Sequence, residues 1–372
     1  MWVTTMTEQH MQNQYRPSLV SPPGATLGEL LEERGIRQSE LATRMAVTPK
    51  FVNELVAGKA SITPTTALAL EKALDVPAGF WLARDARYQE SLARKASNVE
   101  MAANVSWLDE LPLKDLRKFK WIQEQESKAA YVEACLRFFG VVSVDAWRRQ
   151  YVTQTNASAA YRASEKIQKN PGSVAAWLRA GELLASRIDC RPFNREAFLE
   201  TVRDVRKLTL VEDPSEFVPA LRDSFARCGV AVVVVRAPKG CPISGAVRWL
   251  SPQKALVQLS MRYLRNDTFW FTFFHECGHI ALHGKKMLFL ENDEMTGAEE
   301  DEANHFAADQ LIPPGEWMQF LPYMVTELVI REFAERLGIA PAIVLGRMQK
   351  ERGVPWSRFT HLKVSYVWNE DE

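Results

Sequence analysis

The side chains best suited to chemistry lie in one short run, His275-Glu276-Cys277-Gly278-His279. On an α-helix, residues four apart share a face, so His275 and His279 can offer imidazole nitrogens to one ion. Glu276 stands one position round and reaches the remaining open position. There it can take a proton from an attacking water and deliver it to a leaving amine. Such an HExxH pattern is suited to zinc-assisted peptide hydrolysis. Phe269, Phe271, Phe273, Phe274, Ile280 and Leu282 give the helix an apolar face, and Asp267 or Thr268 is expected as its N-cap.

A catalytic zinc takes three protein ligands and keeps one position open. His283 is eight residues from His275, which places their Cα atoms ~12 Å apart along a helix axis. That span is too long for one ion also held by His279, so His283 is expected in an outer layer or as a cation at the helix end. The better third ligand lies in Glu299-Glu300-Asp301-Glu302-Ala303-Asn304. Glu300 can ligate, Ala303 lets two helices approach, and Asn304 can hydrogen-bond a ligating histidine from behind. Four acids in a row leave the register open, with Glu302 or Glu299 as alternatives.

A second constellation lies near the N-terminus. Gln38-Ser39-Glu40-Leu41-Ala42 followed by Val47-Thr48-Pro49 has the spacing of a helix-turn-helix. Leu41 and Ala42 suit the packed face of the first helix. Thr48 can cap the next helix, with Pro49 in its first position. With Val52, Leu55 and Val56 turned to the core, Lys50, Phe51, Asn53 and Glu54 are left outward to meet a major groove, joined by Gln38 and Thr48. Lys59 is placed to touch phosphate. From Gly24 to Lys95 there are 10 Lys/Arg and 9 Asp/Glu, a net of +1, which is weak electrostatic support for nucleic-acid binding.

The elements that must position these groups follow from composition and periodicity. The 372 residues suffice for two or three units, and 47% hydrophobic with 25% charged is ordinary globular composition. Cys135, Cys190, Cys228, Cys241 and Cys277 are scattered without a CxxC pair, which excludes a disulfide framework and a thiolate zinc knuckle. With no h-region at the start and no spanning apolar stretch, a cytoplasmic protein without membrane association is expected. The fold class expected is multidomain: an all-α helix-turn-helix domain, a helical middle region and an α+β zincin-like C-terminal domain. Residues 1–23 read as a flexible tail, 24–95 as the DNA-binding unit, 96–216 as helical connecting structure and 217–372 as the metal domain. Val230 to Val235, Ala246 to Leu250 and Ala255 to Leu259 read as strands of a small antiparallel sheet. Helices are expected at Asp267–Gly284, Glu299–Leu311, Val325–Leu337 and Pro341–Arg352, with a strand-like tail from Leu362 to Trp368.

From Phe269 through HECGH to Lys286, and in Glu300-x-x-Ala303-Asn304-x-Phe306-Ala307 with Leu311-Ile312-Pro313, the chain resembles the ImmA/IrrE metallopeptidases. The resemblance covers about Ser224 to Arg352. It implies one Zn2+ bound by His275, His279 and Glu300, with Glu276 catalytic. Cys277 departs from the apolar residue usual there, on a face turned away from the metal. From about Ala25 to Leu92, through Glu54 to Leu74 and Phe80-Trp81-Leu82, the chain resembles XRE-family regulators, HigA-type antitoxins above all. Ala46 stands where many members carry glycine, which is expected to strain the turn slightly. This resemblance implies operator DNA, a homodimer and a cognate toxin as partner, and the peptidase resemblance implies a repressor protein as substrate. Two functions are therefore weighed. One is a regulator fused to a zinc endopeptidase; the other is a HigA-like antitoxin and autorepressor whose metal domain senses or scaffolds.

Overall fold

The computed structural model describes residues 20–152, 170–260, 262, 265–284, 289–291, 297–320 and 324–367. It divides into two compact units, Met1–Ala103 and Asn104–Glu372. The tail expected over residues 1–23 lies outside the described residues up to position 19, and Pro23 already opens the first helix.

Among the described residues the first unit is all helical: α1 (Pro23–Glu33), α2 (Gln38–Arg44), α3 (Pro49–Val56), α4 (Pro64–Leu74) and α5 (Ala78–Ala103). Apolar residues at helical spacing close one core, in which Leu27, Leu41, Val52, Leu70 and Trp81 are fully buried. Two helix starts repeat one device. Thr48 accepts from the Phe51 N–H with Pro49 next, and Thr63 accepts from the Thr66 N–H with Pro64 next. The turn from α2 to α3 closes with Val47 N–H donating to Ala42 O (3.0 Å), and Ala46 stands at φ +55°. That is the left-handed helix ending usually given to glycine.

The second unit begins with α6 (Leu113–Lys118), α7 (Lys128–Phe139), α8 (Val144–Trp147) and α9 (Pro171–Ser186), followed by α10 (Arg195–Asp204) and α11 (Pro214–Ala226). A four-stranded sheet follows in the order β1-β3-β2-β4, from β1 (Val230–Val234), β2 (Gly245–Ser251), β3 (Lys254–Leu259) and β4 (Phe289–Glu291). The sheet is mixed, which corrects the antiparallel expectation: β1 runs parallel to β3, and only the β2–β3 and β2–β4 pairs are antiparallel. Between β3 and β4 runs α12 (Asn266–Leu282), and after β4 come α13 (Ala298–Leu311), α14 (Pro314–Phe320), α15 (Glu327–Leu337) and α16 (Pro341–Glu351).

Both faces of the sheet are covered. Successive side chains on a strand point to opposite faces. Val230, Val232, Val257 and Leu259 join Phe198 and Val202 of α10, Phe217, Leu221 and Phe225 of α11 and the aromatic residues of α12 in the main core. The other face meets α9. The Trp177 indole N–H donates to Val235 O (2.9 Å), Gln258 Nε2 donates to Trp177 O (2.7 Å), and Arg248 pairs with Glu182. Behind α9 lies an aromatic layer in which Trp107, Phe139 and Trp147 meet edge-on or tilted.

Of the 17 residues of α12, only Thr268, Phe271 and Leu282 are not buried. The helix runs through the core, wrapped by the sheet, α10, α13 and α16, with its polar groups gathered at its start and at the site. Its start differs from expectation. Neither Asp267 nor Thr268 caps it. The helix begins at Asn266, whose Oδ1 accepts from the Asp267 and Val364 N–H groups. Asp267 instead forms a buried ion pair with Lys363, whose Nζ also donates to Gln349 Oε1 (2.7 Å). The tail thus serves as an anchor for the helix. Among the described residues its ladder contact is a bridge between Arg265 and Ser365 after a 3-10 turn at Thr360–Leu362, rather than a strand; Trp368 lies outside them.

Candidate metal centre

Two helices build the site. α12 and α13 cross where Gly278 faces Ala303: a Cβ on Gly278 would stand 3.0 Å from Ala303 Cα. This close crossing brings one face of α13 over the two histidines. His275 Nε2 and His279 Nε2 lie 3.0 Å apart. Glu300 Oε2 is 3.1 Å from His275 Nε2, and Glu300 Oε1 is 3.6 Å from His279 Nε2. Among the described residues, these three form the one group of His, Cys, Asp or Glu whose donor atoms all lie within 4.8 Å of one another. All three are buried.

The remaining acids of the run diverge. Glu302 turns its carboxylate to His283 Nε2 at 3.1 Å and is 61% exposed at its side chain; Glu299 does not join the cluster. Asn304 Oδ1 lies 3.0 Å from His275 Nδ1. His283 follows the last residue of α12, with its Nδ1 3.0 Å from His279 Nδ1. It meets the cluster through His279 and is not one of its donors.

Electrostatics follow from burial. Burial holds the His279 imidazole down at about 4, against an ordinary value near 6.5. For Glu300, burial pushes the carboxyl up, but contact with His275 and His279 outweighs it and keeps the group below the usual carboxylate range. Two imidazole nitrogens and a carboxylate converging out of water form a set of electron-pair donors that a cation would satisfy. Nitrogen and oxygen ligands in the ratio two to one also fit the three-ligand catalytic zinc class. The residues present therefore fit the ion.

Glu276 is fully buried, and its carboxylate lies against β2. A Cβ on Gly245 would stand 2.3 Å from Glu276 Oε1 and 2.8 Å from Thr272 Cγ2. Gly245 is not among the site residues expected from sequence. The available signal was a glycine opening a strand-like run, where it costs roughly 0.5–1 kcal/mol relative to Ala and calls for a reason.

In the first unit, Gln38, Thr48, Lys50, Asn53 and Lys59 are exposed on α2, α3 and the turns beside them, and Glu54 is half-buried. Lys50 lies 3.9 Å from Glu54 and is 86% exposed at its side chain. Phe51, expected outward, is half-buried and packs partly against the core.

Residues 27–81 match the model of the helix-turn-helix family, and residues 231–349 match that of the IrrE N-terminal-like domain, peptidase family M78. No curated protein matches the chain. The second match spans β1 to α16 and contains every residue of the cluster. The chain joins a helix-turn-helix domain to an IrrE-like, metallopeptidase-type domain.

Proposed function

We propose that the protein is a DNA-binding transcriptional regulator whose second unit is a zinc-dependent endopeptidase acting on a regulatory protein. The convergence of His275, His279 and Glu300 on one buried point beside Glu276 carries this reading. Zinc held by those three residues would supply Lewis acidity toward a scissile carbonyl and an attacking water. Glu276 accepts the water's proton and returns it to the departing amine, and the strand surface at Gly245 keeps its carboxylate in place. Asn304 and His283 orient the two imidazoles. Lys50, Asn53 and their neighbours on α3 read a major groove, with Lys59 at the phosphates, and the unit works as a homodimer on paired half-sites.

No helix among the described residues is long and apolar enough to cross a membrane, in keeping with a cytoplasmic regulator. The resemblance to HigA-type antitoxins supports a second reading, in which the unit represses its own operator, pairs with a toxin and uses the metal domain without proteolysis. One pair of variants separates the two. Glu276→Gln should keep its zinc and its operator binding but lose derepression in cells, whereas His275→Ala should lose the zinc. Unchanged derepression in Glu276→Gln would favour the antitoxin, and a wild-type chain isolated without zinc would remove the metal centre altogether.

A further inference from the structure

The two ring nitrogens that face away from the cluster have unlike partners. For His275 the partner is Asn304 Oδ1 at 3.0 Å. An amide oxygen only accepts, so Asn304 suits a His275 ring that carries its hydrogen on Nδ1 and gives Nε2 to an ion. For His279 the partner is a second imidazole: its Nδ1 lies 3.0 Å from His283 Nδ1, and His283 Nε2 lies 3.1 Å from Glu302 Oε2. With His279 Nε2 given to an ion, the ring's one N–H sits on Nδ1 and donates to His283 Nδ1, which leaves the His283 hydrogen on Nε2, donating to Glu302. Side-chain exposure rises along the chain, from 1% at His279 to 8% at His283 and 61% at Glu302.

We propose that Glu302 and His283 are positioning residues for the metal centre, a relay in which a surface carboxylate fixes the ring tautomer of a buried ligand. It rests on the metal-site reading given above. Reversed, the relay would put a hydrogen on His279 Nε2, pointing into the cluster where a cation must bind. Outer partners of ligating histidines are generally worth about 10–100-fold in metal affinity. Asn304 shows within the same site that an amide oxygen can do for His275 what His283 does for His279.

The test is zinc affinity of the full chain by competition with a chromophoric chelator, in wild type, His283→Leu, His283→Gln and Glu302→Ala. His283→Leu, which removes the acceptor, should weaken zinc binding about 10–100-fold, while His283→Gln, which keeps one, stays within roughly 3-fold of wild type. Glu302→Ala, at an exposed position that leaves the fold intact, should weaken it roughly 3–10-fold. Equal losses in His283→Leu and His283→Gln would mean packing alone and overturn the relay. So would wild-type affinity in all three variants of a chain whose zinc depends on His275. A wild type that takes up no zinc overturns the metal-site reading, and the relay with it.

Discussion

The Glu276 carboxylate occupies the space that a side chain on Gly245 would fill, with 2.3 Å between the would-be Cβ and Oε1. Gly245 has no left-handed backbone that would call for glycine, and it pairs in register with Leu259 and Glu291. Its missing side chain is therefore a seat. Gly245→Ala should push the carboxylate away from its place while His275, His279 and Glu300 keep their positions. The expected result is unchanged zinc content with loss of cleavage-dependent derepression, on the scale of 10²–10⁴-fold typical of a lost general base. Zinc analysis and a promoter reporter on the same variant check it; full derepression would show that the seat is not needed.

Acid should weaken the second unit. The His279 ring is held at about 4 when folded and returns to about 6.5 when unfolded, so the unfolded chain binds the extra proton between those values. The stability tied to His279 is complete above pH ~6.5 and is lost as the pH falls toward 4. Glu300, also held low, adds to the loss below the ordinary carboxylate range. Zinc uptake has the same sign, because each ligand atom must be free of its proton. Denaturation midpoints of zinc-free protein between about pH 7 and pH 4.5 measure this; a flat profile would contradict it.

Ala46 stands at φ +55° between α2 and α3. The left-handed region costs a residue with a Cβ roughly 1–2 kcal/mol, and glycine loses part of that gain through its looser unfolded chain. Ala46→Gly should stabilise the first unit by about 0.5–1 kcal/mol. A higher unfolding midpoint for that unit, with operator binding unchanged, is the result to look for.

Lys50 and Asn53 are exposed on the same short helix and should fail differently when changed to alanine. Losing Lys50 should weaken binding about equally on all sequences and lower the salt slope by about 1. Losing Asn53 should cost about 1–3 kcal/mol on the operator alone and relax the preference at one base. Titrations at several salt concentrations, with operator and unrelated duplex, separate the two.

The parts of the fold legible from sequence are those whose physics is local. The Thr48-Pro49 helix start and the spacing of His275 and His279 need only neighbours in the chain. Long-range pairing was less accessible. The run Val230 to Val235 is apolar at every position, which suits a strand covered on both faces, and α9 is what covers the second face. A β-branched run has the same appearance in a parallel or an antiparallel pair, so the direction of β1 could not be read. The acids at 299–302 are equivalent in composition, and only the crossing at Gly278 and Ala303 sends Glu300 to the imidazoles and Glu302 to His283. Asp267 had the character of a helix cap, but its partner Lys363 lies 96 residues further on.

Because α12 is buried along most of its length among aromatic side chains, the scaffold that presents the two imidazoles is held by that packing. Capture of an ion there would be a docking event rather than a folding event, unlike in small zinc modules that collapse only once loaded. Little of the binding energy would then be diverted to ordering the chain. A cell could strip and reload such a centre repeatedly, with the protein persisting between cycles as a folded, primed receptor.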